Sequence, residues 1–241
     1  MSFSFHPADW ILLSPELFLT AAGLLMLSLA VAFGKKKEEF LAFLSVLFLG
    51  VTAALVVWVS VQPGRKTPIL GGAFVVDNFA LFFKALVLLS LALTVLASAR
   101  YVGAAPYPGG EYYALLLFAG VGMLFMASGN NLISIYISLE TMALASYVLA
   151  GYFKGEIKST EAALKYFILG AFSSGVLLYG LSLVYGVTGT MGLPELAKKL
   201  AGAERRSYPY GTREAARWQS LDVACCAHVG PRPVVQRPER G

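Results

Sequence analysis

Long apolar runs alternate along the chain with short polar clusters, and the runs have the length of bilayer spans. At 1.5 Å per residue, about 20 residues cross the roughly 30 Å of hydrocarbon in a membrane. Runs of that order cover residues 15–33, 40–61, 78–99, 112–128, 132–153 and 161–187. The pattern therefore predicts an all-α, polytopic membrane protein with about six transmembrane helices. The first run opens without Lys or Arg and continues for about 19 residues, which predicts a retained helix and not a cleaved signal peptide. Its start is marked: Ser14 is placed to cap free backbone N–H groups, Pro15 suits the first helical position, and Glu16 favours the positive end of the helix dipole. Glu16 then reads as a helix-start residue at the interface.

The pattern changes beyond Leu200. From Gly202 the sequence runs "GAERRSYPYGTREAARWQSLDVACCAHVGPRPVVQRPERG", dense in Arg and Pro and without a hydrophobic period. Two domains are expected: a helical membrane domain over 1–200 and a disordered tail over 201–241. The abruptness of the change also suggests a frameshift product. The only cysteines, Cys225 and Cys226, are adjacent, with His228 nearby. A zinc site needs about four ligands at suitable spacing, so no metal site is expected.

Composition agrees with the pattern. Hydrophobic residues make up 57% of the chain and charged ones 14%, against roughly 25% charged in soluble domains. The net charge of +5 lies in loops and tail without interleaved aromatic platforms, so the expected partner is the lipid bilayer and not nucleic acid. The loops after helices one, three and five hold Lys35, Lys36, Lys37, Arg100, Lys154 and Lys158; the intervening loops hold Arg65 and Lys66. The positive-inside rule then places the N-terminus outside, although Lys198, Lys199, Arg205 and Arg206 run against that orientation.

Three charges stand beyond the first turn of their runs. Glu140, in "ISLETMALASYVLAGYF", lies near the middle of the fifth run, where an ionised group costs about 2.5–3.5 kcal/mol on insertion scales. Protonation, a cation on another helix, or a hydrated cavity would relieve that cost, and all three are ingredients of a proton path. A neutral carboxyl bonding across to a neighbouring helix is the structural alternative. Lys165 follows Glu161 at i,i+4 on one face of the sixth helix, which Ser159 or Thr160 is placed to cap; at that depth its side chain can snorkel to the interface. Lys84, in "DNFALFFKALVLL", reads the same way. In helix six, Gly170 with Ser174 and Ala171 with Gly175 have the small-xxx-small spacing of a packing face. The spaced glycines of "GVTGTMG" follow a membrane helix and open no βαβ unit, so they carry no nucleotide-binding signal. No cysteine set for an iron–sulfur cluster and no axial pair for haem occurs in the spans, so no cofactor is expected to be bound by this chain.

The segment "LISIYISLETMALASYVLAGYFKGEIKSTEAALKYFILGAFSSGVLLYGLSLVYGVTGT", with "LLSPELFLT", "VDNFALFFK" and "GMLFMASGNNLISIYISLE", resembles the N subunit of NADH:quinone oxidoreductase, respiratory complex I. The resemblance covers about the first 200 residues. It implies a fold of antiporter-like inverted repeats with broken helices, other membrane-arm subunits as partners, and a bacterial inner membrane. It also implies an enzyme subunit: NADH and quinone are used by the whole complex, proton translocation is coupled to quinone reduction, and this chain alone is not catalytic. Glu140 and Lys165 match the helix-five glutamate and helix-six lysine of the family's proton path, and Glu140 would pair with a helix-seven lysine that has no counterpart here. A cation/proton antiporter subunit and a non-functional fragment are the rival readings.

Overall fold

Residues 7–33, 38–62, 68–103, 109–153 and 155–205 are described in the structure, a computed structural model. Eight α-helices follow in chain order: α1 (Pro7–Leu12), α2 (Ser14–Phe33), α3 (Glu38–Val61), α4 (Asn78–Gly103), α5 (Gly109–Ser128), α6 (Leu132–Ala150), α7 (Ile157–Thr188) and α8 (Leu193–Arg205). Six of them, α2 to α7, are long and apolar enough to cross a membrane, as expected. Among the described residues, extended backbone pairs only as isolated bridges. The chain divides into two units, residues 1–197 and 198–241; the described part of the second is the end of α8.

In the first unit α5 is the hub. It packs against α2, α3, α4 and α6, and more than half of its apolar stretch is buried. Small residues make this possible: a Cβ on Gly122 would lie 2.6 Å from Met142 N and 2.7 Å from Ser138 O of α6, and one on Gly110 would lie 2.6 Å from Ala30 Cβ of α2. Leu19, Met26, Leu41, Leu88, Val95, Leu117 and Leu124 interlock in the resulting core. By contrast α7 packs mainly on α6, and none of its apolar stretch is buried.

Helix ends depart in detail from the expected caps. Leu17 N donates to Leu13 O (3.0 Å) and Leu13 N to Asp9 O (3.1 Å), so α1 runs almost continuously into α2. The N–H groups that Ser14 was placed to cap are thus already satisfied, and its buried hydroxyl has no hydrogen-bond partner among the described residues. Glu156, not Ser159 or Thr160, is the N-cap of α7; Ser159 Oγ instead donates to Ala150 O (3.0 Å), tying α7 to the end of α6. Elsewhere the caps are conventional. Asp77 Oδ1 accepts from Ala80 N (2.7 Å) at α4, and Asn131 Oδ1 from Ile133 N (3.0 Å) at α6.

Asn130 and Asn131, between α5 and α6, join three connections at one end of the bundle. Asn130 N donates to Ala73 O (2.9 Å) and its Nδ2 to Gly72 O (3.1 Å), while Leu193 N donates to Asn130 O (3.1 Å) and Leu132 N to Met191 O (3.0 Å). The glycines of "GVTGTMG" find their use here. Gly189 ends α7 with φ +64°, a left-handed conformation that favours glycine, and Gly192 bridges to Asn131.

The tail from residue 206 onward, with Arg206, Cys225, Cys226 and His228, lies outside the described residues. So do Lys35, Lys36, Lys37, Arg65, Lys66 and Lys154, on which the expected orientation rests.

Candidate functional site

The predicted spans carry their charged side chains at three places. Glu140 is the ninth residue of α6, about 12 Å from the helix start at 1.5 Å per residue and close to its midpoint. It is half-buried; its Oε1 is buried and has no hydrogen-bond partner among the described residues. A polar oxygen left unsatisfied in the interior costs about 1–3 kcal/mol, which sets this carboxyl apart from the apolar side chains of the span.

Two turns further on, Tyr147 shares the Glu140 face of α6 through its i,i+7 spacing. Its buried ring meets Tyr166 (centroids 4.8 Å apart, nearly perpendicular) and Phe167 (5.7 Å) of α7. Its hydroxyl rests on Gly170, where an added Cβ would collide with it. Within the expected packing face, Gly170 therefore makes the close approach, and Gly175 and Gly180 have open space where a Cβ would lie.

Lys165 is exposed, and its Nζ meets Glu161 Oε1 at 2.5 Å, the i,i+4 contact that the spacing predicts. The described structure does not bring Lys165 into contact with Glu140. The two lie at similar depth, Glu140 about 15 Å before the end of α6 and Lys165 about 12 Å past the start of α7, but the Lys165 side chain is exposed and paired with Glu161.

The third place overturns two expectations. Neither Lys84 snorkels nor Glu16 sits at an interface: both side chains are fully buried, with Lys84 Nζ 2.5 Å from Glu16 Oε1. The physical reason is topological. Antiparallel helices put the starts of α2 and α4 at the same end of the bundle, and α5 ends there with Ser128 Oγ donating to Glu16 Oε1 (3.3 Å) and Leu124 O (3.3 Å). Each charge relieves the other's burial, so neither needs to reach water. One signal in the sequence pointed this way: two lone charges of opposite sign near the starts of the first and third spans. Among the described residues no group of three or more His, Cys, Asp or Glu side chains is placed to hold a metal ion.

Comparisons with known proteins bear on this arrangement. The sequence profile of the family described as NADH:quinone oxidoreductase/Mrp antiporter, TM, matches residues 129–214, which include Glu140, Tyr147 and Lys165. The NADH-quinone oxidoreductase subunit N 1 of Koribacter versatilis is 42% identical over 202 residues, covering 80% of this chain and 39% of the relative. Subunit N of Trichlorobacter lovleyi is 41% identical over 187 residues, covering 76% and 37%. The chain thus spans about two fifths of the length of the curated relatives it matches. Among solved structures, respiratory complex I from Thermus thermophilus with bound aureothin contains a chain that is 28% identical, with a TM-score of 0.56, covering 76% of this chain and 41% of that one. A chain of the membrane-bound sulfane sulfur reductase, an archaeal respiratory membrane complex, shares the fold at 23% identity and a TM-score of 0.59.

Proposed function

We infer that this chain, a multi-pass membrane protein belonging to the N-subunit family of NADH:quinone oxidoreductases, supplies part of a proton path in the membrane arm of a respiratory complex. The observation that carries the reading is Glu140: a carboxyl at mid-helix, half-buried, with one oxygen unmatched by any described protein group. Such a group binds and releases a proton without moving far, and its environment decides which form prevails.

The remaining residues take supporting roles. Tyr147, on the Glu140 face, fixes the α6–α7 contact through Gly170 and sets a hydroxyl two turns along from the carboxyl. Lys165, held by Glu161, places a cation on α7 from which charge can act on the path. Quinone reduction takes place elsewhere in the complex, and the partners are its other membrane-arm subunits. The orientation follows from loop charges: N-terminus outside, in a bacterial inner membrane. The Mrp-type cation/proton antiporters fall under the same family description; the identity of about 40% to relatives named subunit N favours the respiratory reading.

The experiment is Glu140→Gln in the intact subunit, with proton pumping and quinone reduction measured together in inverted membrane vesicles. The expected result is an assembled complex that has lost most of its pumping. Unchanged pumping with normal assembly overturns the role.

A further inference from the structure

We propose that Glu16 and Lys84 hold an internal water that bridges Glu16 Oε2 and Lys84 Nζ, forming a hydrated charge pair distinct from Glu140. The inference starts from unfilled hydrogen-bond valences. Glu16 Oε1 receives both Lys84 Nζ at 2.5 Å and the Ser128 hydroxyl at 3.3 Å. Glu16 Oε2 is buried with no hydrogen-bond partner among the described residues. Lys84 Nζ carries three N–H donors; its close approach to Oε1 is an ion pair without hydrogen-bond alignment, and no described group accepts from it. Acceptor and donors therefore stand side by side in one fully buried pair.

Among the described residues no protein group fills these valences. The carbonyls inside α2, α4 and α5 are engaged in their own helices, at the end of α5 Met126 O and Ser128 O accept from Gly129 N and Val75 N, and the Ser128 hydroxyl already divides its proton between Glu16 and Leu124 O. Lipid headgroups have no access, because both side chains have zero exposure. Buried polar groups in proteins are satisfied in well over nine cases in ten, by protein or by ordered water. A water molecule typically makes about three hydrogen bonds at such sites. Here it would donate to Oε2, accept from Nζ–H, and have the Ser128 oxygen as a further acceptor. Ordering one small molecule costs less than leaving charged atoms bare. The site is independent of the Glu140 reading, since it depends on no residue of α6 or α7.

Water-edited solid-state NMR of the 241-residue chain in lipid bilayers tests this, with 15N,13C-labelled lysine, glutamate, leucine, methionine and serine. Glu161 and Lys165 form an equally close but exposed pair, so the spectra are recorded on the E161Q variant, in which the remaining close lysine–glutamate contact assigns Glu16 and Lys84. Expected is polarisation transfer from water to both signals several-fold faster than to the core side chains of Leu19 and Met26. Transfer as slow as to those side chains means a dry pair and overturns the proposal. As a second reading, E16L/K84M removes both charges together, and the water transfer to Ser128 is expected to fall to the core level; transfer that persists there also counts against a water held by the pair.

Discussion

Glu16 and Lys84 show how much a single buried charge depends on its partner. Either alone would be an uncompensated ion in the core, so E16Q or K84M is expected to destabilise the first unit by about 3–5 kcal/mol. Replacing both by apolar residues of similar size, E16L/K84M, is expected to be close to neutral, because the desolvation of two ions disappears along with their attraction. A double-mutant cycle of unfolding in detergent measures both. Lys165→Met, in an exposed pair, is expected to cost less than about 1 kcal/mol in the same assay. Of these charges Glu140 was legible in the sequence, since a lone carboxylate in mid-run needs no partner to be conspicuous. The Glu16–Lys84 pair was not: each residue, taken with its neighbours only, fits an interfacial position, and the pairing exists only once α2 and α4 lie side by side.

At the scale of elements, close backbone approach organises the bundle around α5. Gly122 lets α6 come so near that Gly122→Ala is expected to cost about 1–3 kcal/mol, since backbone atoms and not flexible side chains stand in the way. Gly175→Ala, with open space at its Cβ position, is expected to stabilise the isolated chain by about 0.5–1 kcal/mol through helix propensity. Unfolding of the two variants side by side checks the contrast. The spans themselves were legible because length and apolarity suffice to define them. The almost continuous α1–α2 junction and the Asn130 hub were not, since both depend on hydrogen bonds between segments distant from each other or on a choice between competing caps. The small-xxx-small spacing marked a packing face, but only the contact at Gly170 is made within this chain.

For the molecule as a whole, the sequence was enough to identify a six-span helical membrane protein and the family it resembles, because hydropathy is set by composition and the motif around Glu140 is specific in wording. What it could not show is how the polar groups distribute. They fall into an enclosed pair joining α2, α4 and α5, a half-buried carboxyl on α6, and an exposed pair on α7. The central claim is that Glu140 changes its protonation as protons move. Redox-induced infrared difference spectra of the assembled complex, with and without Glu140→Gln, read that change directly. The account predicts a carboxyl C=O band that appears or disappears during turnover and is missing in the variant; difference spectra identical in the two proteins would contradict it.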